Sequence, residues 1–311
     1  MAALVLLVGL PAWLLLAALF DLLRVRFRMP TVRMVVFGLL WSWLETAGLT
    51  VALALRLTGR GGDLAANFAL QRWWATKLVS AIKVSTGMTV DVEGIDELGP
   101  GPLVVLGRHA SLIDAGLSAW VLSGLAGLDP RYVLKRELRF DPCLDIVGHR
   151  LPNHFVDRSS SDVPGELQGI GRMAEGLGVG EVAVVFPEGT RASDTKRSRA
   201  IEQLKERNPV RGKRLEGLRH LLVPKPAGAH ALLVAVPRAD VATMWHTGLE
   251  GLDSFKGMAR AISKGRLRVR IVLQRFARAE VPLEGFVEWL DERWCAMDAA
   301  VAASLAEGAA R

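Results

Sequence analysis

Cysteine, tyrosine and long runs of like charge are what this chain has least of. Only Cys143 and Cys295 occur in 311 residues, far apart and without metal or redox spacing, which excludes a disulfide scaffold, a zinc knuckle and a dithiol centre. A reducing compartment and ordinary core packing are expected for both. A single tyrosine accompanies nine tryptophans and ten phenylalanines, and most of the tryptophans lie in apolar surroundings. That pattern speaks against stacking on nucleic-acid bases, so no nucleic-acid partner is expected. The net charge of +7 arises from 39 basic and 32 acidic residues that are interleaved along the chain. Such an excess suits an anionic membrane surface. No internal repeat and no low-complexity tract is present.

Apolar sequence, by contrast, is plentiful at half of all residues. One folded domain with an anchor is the economical organisation. Ala2 to Leu23 and Val35 to Leu57 are apolar stretches, each near the ~20 residues that a bilayer-scale helix needs. Together they predict a membrane-anchoring helical hairpin over residues 1–60. A cleaved signal peptide is disfavoured because the first charge, Asp21, follows the apolar run instead of preceding it. Arg24, Arg26, Arg28 and Arg33 separate the stretches, and Arg56, Arg60, Arg72 and Lys77 follow the second. Positive charge at both ends leaves the orientation undecided. A hairpin that dips into the cytoplasmic leaflet without crossing would keep these arginines near headgroups and leave Glu45 shallow.

From Gly87 the pattern changes to short β-rich runs separated by helical or irregular segments: Thr89 to Glu93, Leu103 to Leu106, Val182 to Phe186, His220 to Val223 and Leu267 to Gln274. This alternation predicts an α/β domain over residues 61–311, a mixed central sheet flanked by helices. The stretch 192–219 is rich in lysine and arginine, Lys196 among them; a solvated helical face is its default reading, with headgroup or CoA contact as the alternative. Residues 281–306 form an Ala-rich amphipathic helical stretch bearing Phe286, Trp289, Leu290, Trp294 and Met297. Packing on the domain and lying on the membrane both remain open for it.

Chemistry enters at Gly107-Arg108-His109-Ala110-Ser111-Leu112-Ile113-Asp114, where a predicted strand ends in a histidine followed by a carboxylate at His-x4-Asp spacing. An imidazole can take a proton from an alcohol, and a carboxylate on its other nitrogen fixes the tautomer and steadies the imidazolium. Taken alone this spacing is a weak signal, and a surface turn with a capping Asp is its bland counterpart. Ser111 is a tempting nucleophile, but no hydrolase elbow surrounds it. The second element is more specific: an apolar strand runs into Phe186-Pro187-Glu188-Gly189-Thr190-Arg191. Such a turn exposes backbone amides beside a hydroxyl and a guanidinium fork, the parts of a phosphate grip.

These two blocks, in this order, resemble the glycerolipid acyltransferase family, the 1-acylglycerol-3-phosphate acyltransferases. Further blocks are similar: Lys135-Arg136-Glu137-Leu138, then Phe155-Val156-Asp157-Arg158, then Val223-Pro224 with Gly228. The segment Leu221 to Gly228 and the late Trp289 to Asp298 stretch are similar to the eukaryotic lysophosphatidic acid and lysocardiolipin branch. The resemblance implies acyl transfer from acyl-CoA or acyl carrier protein to the sn-2 hydroxyl of 1-acyl-sn-glycerol 3-phosphate, giving phosphatidic acid in phospholipid biosynthesis. His109 would be the general base oriented by Asp114, with Lys135 stabilising the oxyanion. Arg158, Glu188, Gly189, Thr190 and Arg191 would bind the substrate phosphate, Glu188 by orienting Arg191 or the glycerol hydroxyl. No metal and no resident cofactor is implied; the acyl thioester is a co-substrate, and membrane phospholipids and the lysophospholipid acceptor are the partners. The cytoplasmic face of the inner (plasma) membrane is the expected location. One departure from the family pattern is Arg108, which would lower the basicity of His109 or bind phosphate itself. His149 and His154 are placed near the cleft, whereas His220, His230 and His246 are read as packing or surface residues. Competing readings are an acyltransferase for another lysophospholipid, a thioester or lipid hydrolase, and a non-catalytic lipid carrier.

Overall fold

The computed structural model describes residues 8–157, 160–252, 255–265 and 267–309. Its first helices are α1 (Leu10–Leu23) and α2 (Pro30–Leu57), joined by a tight turn. Asp21 makes the turn: buried at the end of α1, it accepts hydrogen bonds from the Thr31 and Val32 amides at 2.8 and 3.2 Å and from the Thr31 hydroxyl at 2.7 Å. It thus caps α2 from outside that helix, satisfying amides that have no partner within it. Asp21→Ala should cost about 1 kcal/mol, read as a lower unfolding midpoint in detergent with unchanged helix content.

Among the described residues α2 alone is long and apolar enough to cross a membrane. It begins at Pro30, five residues before the expected start, because proline at the first turn gives up no intrahelical bond. Leu15, Leu16, Leu19, Leu22 and Leu23 of α1 and Leu53 and Leu57 of α2 are exposed. Glu45 is not left to the lipid: its carboxylate accepts from the Trp74 indole at 3.1 Å and the Cys143 amide at 3.2 Å. Trp74 belongs to α3 (Leu64–Thr86), which packs along α2 and ties it to the sheet domain.

The remaining elements run β1 (Thr89–Glu93), β2 (Leu103–Gly107), α4 (Asp114–Ala119), β3 (Asp129–Lys135), α5 (Pro142–Arg150), β4 (His154–Val156), α6 (Val163–Ala174) and β5 (Glu181–Val185). Then follow α7 (Asp194–Arg207), α8 (Pro209–Leu215), α9 (Pro226–Ala235), β6 (Asp240–Thr247), α10 (Phe255–Lys264), β7 (Arg268–Phe276) and α11 (Phe286–Ala309). Among the described residues seven strands form one mixed sheet in the order β1-β7-β6-β2-β5-β3-β4, parallel throughout except for the antiparallel pair β6–β7. The central strands are apolar on both faces because both are covered. Leu103, Val105, Val182 and Val184 pack towards α3, α4 and α10, while Val104, Leu106, Ala183 and Val185 pack towards α6, α9 and α11.

One strand expectation needs correction. Residues 220–223 are not a strand: Leu221 and Leu222 are buried, but the amides of Arg219, His220 and Leu221 bond the Asp298 carboxylate at 2.7–2.9 Å. A buried carboxylate there replaces a ladder partner. The strands β3 and β6 take their places in the sheet instead, although β3 opens Asp-Pro-Arg and β6 opens Asp, both weak strand signals. The last helix is settled in favour of packing, with Phe286, Leu290, Trp294 and Val301 at most 1 % exposed.

Candidate active site

Strand direction and order bring the sequence motifs together. β2 and β5 lie side by side and parallel with Leu106 opposite Val185, so the turns that follow them leave the sheet about 4.8 Å apart. One turn carries His109 and the other carries Phe186 to Arg191. β3 and β4 end at the same edge, where Lys135 pairs in register with Val156. Arg158, expected to grip phosphate, lies outside the described residues. The carboxyl ends of parallel strands are where α/β sheets hold ligands.

The His-x4-Asp loop wraps around its own carboxylate. Asp114, at the start of α4 and 2 % exposed, receives His109 Nδ1 at 2.9 Å and the amides of Ala110 and Ser111 at 2.6 and 2.8 Å on Oδ2. The Ser111 hydroxyl donates to Oδ1. Ser111 is thereby a brace, fully buried and engaged, and not a free nucleophile. Burial alone would raise the Asp114 pKa, but the facing imidazoles of His246 and His109 more than offset it and hold the carboxyl well below the usual carboxylate range. The His109 side chain is 24 % exposed and lies against the Phe186 ring, centroids 5.1 Å apart. Gly107 makes that approach possible, since a Cβ there would sit 2.7 Å from the Phe186 ring. With Nδ1 committed to Asp114, Nε2 is left for a substrate proton.

Glu188 lies buried beneath the turn. It is 1 % exposed, and each oxygen accepts a backbone amide: His109 on Oε1 at 2.8 Å and Leu222 on Oε2 at 3.0 Å. Its carboxylate thereby ties the two motif turns to each other. Burial pushes this carboxyl up to about 8, against the pull of the two amides and of Arg108. Gly189 adopts φ +70°, a left-handed conformation suited to glycine, and its amide closes the turn onto Phe186 O at 2.9 Å.

Thr190 and Arg191 are half-buried. Lys196 Nζ lies 3.2 Å from both the Thr190 hydroxyl and the Arg191 carbonyl, and Lys225 Nζ would be 3.4 Å from a side chain grafted at Gly189. These two lysines add to the cationic character of the turn; the sequence marks Lys196 only as part of the basic stretch and does not mark Lys225. Lys135 Nζ pairs with Glu137 at 2.9 Å; neither His109 nor Asp114 is its bonded partner. Arg108 points away from the site, buried, donating to His246 O and pairing with Glu250 at 3.1 Å. It is engaged there and does not reach out to a phosphate. His154 bonds Glu166 at 2.8 Å and His149 stacks on Phe155, so both serve local packing.

A large apolar cavity of about 410 Å³ adjoins the loop. Its walls include Phe37 and Trp41 of α2, Trp74 of α3, Leu112 of the His109 loop, Leu134 of β3 and Leu144 of α5. Pockets of this size lie within the ~300–1,000 Å³ range of small-molecule sites.

Residues 89–233, which span both motifs, match the family model described as Acyltransferase. The chain carries an acyltransferase domain. Among solved structures, the 1-acyl-sn-glycerophosphate (LPA) acyltransferase PlsC from Thermotoga maritima is similar at 18 % identity and TM-score 0.45, covering 86 % of this chain and 96 % of that one. Among proteins of curated function none matches the sequence.

The matched region is braced by residues beyond it. On α11, Asp298 holds the amides of residues 219–221, and the Trp294 indole donates to Leu222 O at 2.9 Å. Leu222 in turn donates to Glu188, and Glu188 accepts from His109. Asp291, fully buried, pairs with Arg211 of α8 at 2.8 Å, and Arg211 also donates to Pro224 O. The basic stretch 192–219 is thus anchored at one end, while α7 contributes no buried residue.

Proposed function

We propose that this acyltransferase moves an acyl group from a thioester, acyl-CoA or acyl carrier protein, onto the sn-2 hydroxyl of 1-acyl-sn-glycerol 3-phosphate at the cytoplasmic face of the plasma membrane. The observation that carries the reading is the buried, ionised Asp114 bound to Nδ1 of a partly exposed His109, beside an apolar cavity and a turn bearing Thr190 and Arg191. His109 is the base and Asp114 fixes its tautomer. The acceptor oxygen attacks the thioester carbonyl and forms the new C–O bond as its proton passes to His109 Nε2. Collapse of the tetrahedral intermediate breaks the C–S bond, and the leaving thiolate takes that proton. Lys135 and backbone amides offset the oxyanion charge, and Gly189, Thr190 and Arg191 hold the acceptor phosphate. Arg158 completes that grip. The cavity takes the acyl chain, and α1 with α2 keeps the site at lipid depth.

The test supplies acyl-CoA to purified protein in vesicles with a panel of lysolipids, followed by mass spectrometry of the products. Phosphatidic acid from lysophosphatidic acid supports the reading; preference for another headgroup revises the acceptor, and thiol release independent of any acceptor makes the protein a hydrolase. The cavity has its own consequence. Narrowing its α5 wall by Leu144→Trp, so that two methylenes are excluded, should lower kcat/KM for long relative to short acyl thioesters by about 1.6 kcal/mol, roughly fifteenfold. A chain-length series checks this.

A further inference from the structure

The Asp114 carboxylate has a second imidazole. His246, on β6 and 4 % exposed, places Nε2 3.1 Å from Asp114 Oδ1, the oxygen not used by His109. The contact is close but lacks the geometry of a formed hydrogen bond, so that both ring nitrogens are buried without a hydrogen-bond partner, and Nε2 is the one that faces the carboxylate. Two features explain how a residue so distant in sequence arrives there. β6 runs parallel to β2 with Met244 opposite Gly107, so its end reaches the same sheet edge as His109. Strand alternation then turns Ala242, Met244 and His246 towards the α4 face, as Ala242 and Met244 in its core cluster indicate.

We propose that His246 is a positioning residue for acyl transfer: its ring, carrying hydrogen on Nε2, holds Asp114 Oδ1 and so fixes the plane in which Oδ2 meets His109. The inference rests on the transfer reading and deepens it. A carboxylate held only by His109 and the short loop rotates about its terminal bond, and a misaligned base loses rate steeply with displacement. The neighbouring charged groups leave His246 to this task. Arg108 bonds the His246 backbone carbonyl and Glu250, Glu250 also accepts the Gly248 amide, and Glu188 is occupied by two amides. Among the described residues Asp114 is the one ionisable group within 4 Å of the His246 ring nitrogens.

Gln reproduces a donor at the Nε2 position, whereas Leu fills the space without one. H246Q is expected to keep kcat within about threefold of wild type, while H246L loses about tenfold or more in kcat with KM unchanged, as expected for an effect confined to the transition state. Equal rates for H246L and H246Q, or a loss confined to KM, overturn the proposal. Should H246L fail to fold, H246N, whose amide stops short of Oδ1, replaces it: the expected loss is again about tenfold against H246Q, and equal rates overturn the proposal. Thiol release is followed with and without acceptor throughout. Acceptor-independent release sinks the transfer reading, and the comparison of variants on whichever reaction is observed still decides the role of His246.

Discussion

His109→Ala is expected to lower kcat/KM for acyl transfer by about 10²–10⁴-fold, the range associated with a positioned general base. Folding should survive, because the imidazole is partly exposed and the loop around it is held by other bonds. The amides of Ala110 and Ser111 stay on Asp114, and the His109 amide itself stays on Glu188. Asp114→Asn is expected to be at least as damaging to kcat, for a different reason. An amide nitrogen cannot accept from the donors that converge on this carboxylate, so the loop loosens and the His109 tautomer is no longer fixed. Steady-state kinetics with a circular-dichroism check on fold measure both. Activity of His109→Ala within tenfold of wild type would exclude His109 as the base.

Glu188→Ala should cost about 3 kcal/mol of stability. It leaves the His109 and Leu222 amides buried without acceptors, and each unsatisfied group costs roughly 1–3 kcal/mol. It should also cost activity, since the tie between the two motif turns is lost. Glu188 carries a pH signature as well. Its carboxyl is raised from the ordinary 4.5 to about 8 by burial, so between these values the folded protein binds a proton that the unfolded chain releases. The sign is then fixed: this contribution is fully present below about 4.5 and is lost as pH rises towards about 8. Unfolding midpoints across that window should fall for the wild type and flatten for Glu188→Gln, which stays neutral. A wild-type curve that rises from pH 5 to 8 and is unchanged in Glu188→Gln would show that Glu188 is ionised throughout.

The pairing of His109 with the Phe186–Arg191 turn was readable because each motif follows an apolar run at a strand end, and parallel strands deliver all their carboxyl ends to one edge. His109, Asp114 and the glycine at 189 announce themselves through local chemistry of that kind. Glu188 did not, since a carboxylate beside a guanidinium in sequence looks like a polar contact, while its burial and its reach to Leu222 depend on where α11 places residues 219–222. Arg108 was misleading for a similar reason: it follows the strand in the sequence but its guanidinium turns inwards to Glu250. The two lysines at 196 and 225 reach Thr190 and Gly189 through a helix and a loop that no spacing rule links to the turn.

The sequence by itself determined an α/β domain behind an apolar N-terminal hairpin, and an acyltransferase motif pair with its order and spacing. Both follow from short-range regularities: the length of apolar runs, strand periodicity and residues a few positions apart. Tertiary structure alone decided that Asp21 caps the second helix, that residues 220–223 are held by Asp298 instead of a strand partner, and that His246 shares Asp114 with His109. Each of those joins groups that are distant in the chain or lie in different elements, and their bonds are set by strand order, register and burial, which no local pattern encodes.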